Sequence, residues 1–213
     1  MEKGLDESNA ANMKKSYELS QAKLEQGVQI AREALTNSNT TAAKAALANR
    51  LLGLGTLLSR QQDALVIEKH GMEVATECLQ LAKDTHTDPL RLIQCHALLA
   101  KMISSAGLSE GEPDGIAMFG TWSEVETFVQ VYTPADKYAP PPESLLQRLL
   151  TEKANAAEFC KGDTAMADAL RIQACKTAPR MNPRPVFDAA TALSKRGTTE
   201  EVREYGTTVV DSF

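Results

Sequence analysis

Apolar residues recur at three- and four-residue steps along most of this chain, the period of helices with one buried face. From 9 to 36, Met13, Tyr17, Leu24, Val28, Ala31 and Leu35 form one stripe and predict a long helix. Asn37-Ser38-Asn39-Thr40 supplies a turn, and Thr40 or Thr41 can cap the free amides of the next helix. That helix, 41–59, carries Ala43, Ala46, Leu47, Leu51, Leu54 and Leu58 on one side. Gly53 and Gly55 lie inside it, each costing about 1 kcal/mol relative to alanine, so a neighbouring helix is expected to approach closely there. A third helix, 63–84, has a stripe of mostly small residues, Ala64, Ile67, Gly71, Ala75, Cys78 and Ala82, which lets two axes come near. Asp88 then fits an N-cap and Pro89 the first helical position, opening a fourth helix to about 106. Its inward positions are Leu90, Ile93, Ala97, Ala100 and Ile103.

The stretch 108–120 is glycine-rich, with Pro113 and the acids Glu110, Glu112 and Asp114, and reads as a loop. Thr121-Trp122-Ser123-Glu124 is a capping-box pattern opening a short helix that Thr133-Pro134 closes. Pro140-Pro141-Pro142 predicts a stiff extended link, with a weak boundary at 133–143. From Glu143, Leu145, Leu149, Ala156 and Phe159 mark a helix ending at Gly162. Asp163 or Thr164 caps the next, with Met166, Leu170, Ile172 and Cys175 on its stripe. A short helix at 186–195 and a last one opened by Thr198-Thr199-Glu200-Glu201 follow. The expected fold is all-α, eight or nine helices in a single domain over 1–213. Short connections make consecutive helices antiparallel.

Composition agrees with this, since aromatics are only 5% and alanine and leucine supply the apolar content. The formal net charge is −5, but residues 108–143 hold one basic side chain and seven acidic ones, so the rest sums to +1. No basic face suits nucleic acid or an anionic membrane. Cys78, Cys95, Cys160 and Cys175 form no CxxC pair, and read as reduced, buried thiols of an intracellular, cytoplasmic protein. The N-terminal residues show no apolar signal core, and no segment has the length of a membrane span.

Residues 51–58 read Leu-x-x-Leu-Gly-x-x-Leu, followed by a longer helix with Gly71, Ala75 and Cys78, and then a proline before the next hairpin. This resembles the tetratricopeptide (TPR) pattern, in which a small residue of one helix receives a large one from the second. Weaker copies centre on Ala100, Ala157 and Ala190; the successive steps, starting at Gly55, are 45, 57 and 33 residues, against a usual step of about 34. The resemblance implies a right-handed superhelix of antiparallel helix pairs. An irregular α-bundle is the alternative. It also implies a concave groove that grips a partner peptide or helix. Some TPR domains clamp a C-terminal carboxylate with Asn and Lys or Arg. Ala48-Asn49-Arg50 is similar to one element of such a clamp, offset from the register of Leu54-Gly55. With Arg91, Gln94 and Lys153, Asn49 and Arg50 make the candidate partner-binding set.

Chemistry is poorly represented. His70, Glu73 and Glu77 share a helical face, but no second helix offers matching ligands, so a metal site is not expected. Cys95 and His96 are neighbours pointing about 100° apart, wrong for a nucleophile–base pair. No nucleophile elbow, phosphate loop or dinucleotide motif occurs. Arg171, Lys176, Arg180 and Arg184 form an acid-free run that suits a phosphate or an acidic partner, or a solvated edge. The expected function is a non-catalytic adaptor, scaffold or assembly subunit, binding another protein without a cofactor. The alternatives are an α-helical enzyme lacking a recognisable motif, and a structural subunit of a large complex.

Overall fold

The computed structural model describes residues 2–60, 66–85, 88–105 and 122–177, with isolated helical positions between 190 and 207. All regular structure among the described residues is helical. The elements are α1 (Glu2–Asn37), α2 (Thr41–Leu58), α3 (Met72–Thr85), α4 (Pro89–Ser105), α5 (Trp122–Val131), α6 (Pro142–Lys161) and α7 (Thr164–Thr177). A π-helical turn, Ile67–Gly71, leads into α3. The all-α expectation holds. The helices expected at 186–195 and from 198 onward fall largely outside the described residues, as do Thr121 of the capping box, Ala64 and the side chain of Phe159.

The caps follow the sequence closely. Thr40 Oγ1 accepts from the Ala43 amide at 3.2 Å. Asp88 Oδ1 accepts from the Arg91 amide at 3.1 Å, with Pro89 opening α4. Asp163 Oδ1 accepts from the Met166 amide at 2.9 Å. Gly162 ends α6 in the left-handed region at φ 64, where a Cβ is penalised. Pro142 differs from expectation. It starts α6 rather than extending the link, because a first-turn helical residue needs no amide donor.

Helix α1 runs antiparallel to α2. Tyr17 Oη donates to the Leu57 carbonyl at 2.8 Å, and Leu24 lies against Gly53 nearer the middle of α2. Since Tyr17 already meets the end of α2, the earlier turns of α1 pass beyond it. Met13, expected inside, is therefore 74% exposed.

Helix α4 is the hub. Beyond the predicted stripe it buries Leu92, Cys95, His96, Leu98, Leu99 and Met102, because α2, α3, α5 and α6 all pack on it. One apolar cluster runs from Val28 of α1 through α4 to Leu145, Leu149 and Ala156 of α6. Helix α7 joins α6 through a small separate cluster of Ala154, Ala157 and Ala167. Met166 is exposed instead, since the close approach of α6 and α7 favours the alanine-lined face.

The expected small-residue contacts occur, with a changed partner. A Cβ at Gly55 would stand 2.5 Å from Leu98 Cδ2, so it is α4, not α3, that drops a large side chain onto Gly55. Gly71 likewise receives Met102 of α4, whose Sδ would be 2.9 Å from an added Cβ. The cysteines correct the sequence reading. Cys78 of α3 and Cys95 of α4 form a disulfide, with Cα atoms 5.8 Å apart, while Cys175 is buried in α7. A pair separated by 17 residues on two helices leaves no local spacing motif. No helix among the described residues is long and apolar enough to cross a membrane.

Candidate functional site

A cleft of about 550 Å³ opens between α2, α4 and α6. Its α2 wall is Leu52, Thr56 and Ser59; its α4 wall includes Gln94, Ala97, Leu98 and Lys101; its α6 wall is Arg148, Glu152, Asn155 and Ala156. The pairings Asn49 with Arg91 and Gly55 with Leu98 advance together along both chains, so α2 and α4 run parallel as two sides of the cleft. Leucine and alanine form an apolar floor, and charged groups from α4 and α6 stand at the rim.

The hydroxyls of the α2 wall are turned back onto their own helix. Thr56 Oγ1 donates to the Leu52 carbonyl at 2.7 Å and Ser59 Oγ to the Thr56 carbonyl at 3.0 Å. Arg148 and Glu152, one turn apart on α6, pair at 2.6 Å. Lys101 is exposed at the rim, and no ion pair to it occurs among the described residues. The ionisable lining is thus Lys101, Arg148 and Glu152, without a histidine or cysteine to serve as base or nucleophile.

The five residues singled out in the sequence separate into three groups. Arg91 Nε donates to Asn49 Oδ1 at 2.7 Å, and Arg91 Nη2 lies 3.4 Å from Asp88 Oδ2. Asn49 and Arg91 each sit one turn before a lining residue, Leu52 and Gln94, so this pair marks the cleft's end on the same helix faces. Gln94 lines the cleft itself. Arg50 leaves the group. Its Cδ lies where a Cβ on Gly27 would touch it at 3.7 Å, so its stem runs along α1. Lys153 also leaves, forming an ion pair with Glu126 that ties α6 to α5.

Sequence reasoning missed Lys101, Arg148, Glu152 and Asn155. The available signals were helical steps: Lys101 is two turns after Gln94, and Glu152 is four residues after Arg148.

Other candidate chemistry is occupied by structure. His70 Nε2 lies 3.6 Å from Glu25 of α1, and Glu77 takes a two-pronged bond from Arg32. That hydrogen bond, reinforced by the charges of Glu77 and Glu73, raises the Arg32 pKa above its ordinary value against a smaller opposing effect of burial. Among the described residues no group of three or more His, Cys, Asp or Glu side chains could hold a metal ion. His96 is buried with its ring edge-on to Trp122, centroids 4.1 Å apart, while Cys95 turns to Cys78, so the two neighbours do face apart. Arg171 of the basic run pairs with Glu158 and Asp168, and Arg180 and Arg184 lie outside the described residues.

Comparison with known proteins returns no match: no family model, no curated protein and no solved structure matches the chain.

Proposed function

We propose that this chain is a non-catalytic protein-interaction module, an adaptor or assembly subunit, that receives a peptide or helix of another protein in the α2–α4–α6 cleft. In this reading α2 with α3, α4 with α5, and α6 with α7 are TPR-like hairpins of an intracellular, cytoplasmic protein. The observation that carries it is the alternation: first, third and fifth helices of that series line one cleft, as the inner helices of stacked hairpins would. Its volume falls in the range of recognition pockets, about 300–1,000 Å³. An apolar floor with a polar rim suits a guest segment that buries a few side chains and anchors its ends by hydrogen bonds.

The test uses the full chain as bait in its native cell, beside an Ala97→Arg/Lys101→Glu variant. Ala97 and Lys101 line the cleft without being fully buried, so melting should be nearly unchanged. One reproducible protein, held by the parent chain and lost with the variant, supports the reading. Capture of nothing reproducible, or capture indifferent to the variant, sinks it. Turnover of a small molecule that stops when the cleft is filled would instead favour the enzyme alternative.

A further inference from the structure

Cys78 lies in the middle of α3 and Cys95 in the second turn of α4, and both side chains are fully buried. Their Cα separation of 5.8 Å is that of an ordinary disulfide. Cys78 Sγ also stands 3.4 Å from the Ala48 carbonyl oxygen of α2, an acceptor to which a thiol can donate weakly. On reduction the two sulfurs must move apart, and the Ala48 carbonyl offers the freed Cys78 thiol a partner where it stands.

We propose that Cys78–Cys95 is a reversible thiol-oxidation site, whose disulfide staples α4 to α3 and whose reduced form leaves the two helices held by packing alone. The oxidant is a low-molecular-weight disulfide of the glutathione class. One cysteine, as thiolate, attacks a sulfur of the small disulfide, forming a mixed disulfide and releasing one small thiol. The second cysteine, as thiolate, attacks the protein-bound sulfur, closing the Cys78–Cys95 bond and releasing the second small thiol. The two protein thiols give up two protons and two electrons, and the small disulfide gains both.

Burial sets the kinetics. A small disulfide cannot reach sulfurs enclosed by α2, α3 and α4, so each exchange waits for those helices to part. Once set, the oxidation state is shielded. The staple also bears on the cleft, because α4 supplies the wall of Gln94, Ala97, Leu98 and Lys101. The oxidation site itself stands whether or not the cleft binds a partner.

The experiment equilibrates the full chain in glutathione buffers from fully reduced to fully oxidised, blocks thiols in denaturant, and maps unreduced peptides by mass spectrometry. In the oxidised buffer Cys78 and Cys95 should lose alkylation together and appear as one linked peptide. The melting midpoint should rise by roughly 6–12 °C on oxidation, the effect of closing a short loop in a chain of this size. That rise should vanish in Cys95→Ala. Reduction of the staple by dithiothreitol should speed up at least about tenfold in urea below the unfolding transition, as opening becomes frequent. Separate alkylation of Cys78 and Cys95 in the oxidised buffer, or linkage of either to another cysteine, overturns the proposal. So does an unchanged midpoint in the linked protein. The peptide map is made on the unaltered chain, so it decides even where Cys95→Ala fails to fold.

Discussion

Gly53 and Gly55 are two residues apart in the same helix, yet alanine at the two positions should act in opposite directions. Each substitution gains about 1 kcal/mol of helix propensity. At Gly53 the new methyl would meet only Leu24 Cδ2, at 3.6 Å, an ordinary contact. Gly53→Ala should therefore stabilise by about 0.5–1 kcal/mol, raising the melting midpoint by roughly 1–4 °C. At Gly55 the methyl would stand 2.5 Å from Leu98 Cδ2 and 3.4 Å from both Cδ1 and Cγ. Turning Leu98 to relieve one methyl brings another in, since its whole branched end faces the glycine. Overpacking of this kind costs about 1–3 kcal/mol, more than the propensity gain. Gly55→Ala should lose about 1 kcal/mol, and the midpoint should fall by roughly 2–4 °C. Leu98→Ala in the same background removes the clash, so the double variant should be more stable than the sum of the singles by about 1–3 kcal/mol. Urea titration of the parent and the four variants by far-UV circular dichroism measures the free energies, and thermal melts of the same proteins give the midpoints. A Gly55→Ala protein as stabilised as Gly53→Ala would refute the seating of α4 on α2.

Two further expectations concern the helix ends and one ion pair. Gly162→Ala forces a Cβ into the left-handed region and should cost about 1–2 kcal/mol, whereas Asp88→Ala removes one cap and should cost about 1 kcal/mol; chemical denaturation reads both. The raised Arg32 pKa means that the pair with Glu77 stabilises fully at pH values below the ordinary arginine range and is lost only as pH climbs through the still higher folded value. The effect of Arg32→Gln on the melting midpoint should thus be flat between about pH 7 and pH 10, and no larger than about 1 kcal/mol, because the pair is solvent-exposed.

What the sequence made legible was local. Thr40, Asp88, Asp163 and Gly162 act through bonds within four residues or through one backbone angle, so residue type alone identifies them. The glycines announced a close approach but not its source, because helix propensity carries no record of which neighbour arrives. Met13 continued the apolar stripe of α1 correctly, yet its burial depended on the length of α2, a property of a different segment. Asn49 and Arg50 were singled out by likeness to one element of a carboxylate clamp; the structure sets Asn49, bonded to Arg91, at the end of the cleft that Gln94 lines. Arg50 and Lys153 do not reach the cleft, because a basic side chain equally serves as a stem laid along α1 or a bridge to α5. Cys78 and Cys95 were invisible as a pair, since their register is set by how α3 and α4 stack.

The cleft's construction explains why one helix governs so much of the molecule. Its α4 wall belongs to the most enclosed helix, fixed at Gly55 by Leu98, at Gly71 by Met102, against Trp122 by His96, and to α3 by the Cys78–Cys95 bond. A wall held from four directions cannot shift one lining residue without disturbing a core contact, because close-packed interiors transmit strain rather than absorb it. Leu98 makes the point directly: the side chain that seats on Gly55 also lines the cleft. In the proposed role, such rigidity would lower the ordering entropy that a guest segment must overcome on binding. It also places the cleft's shape under the control of internal packing, so that substitutions on the hidden side of α4 should alter the cleft as surely as those at its rim.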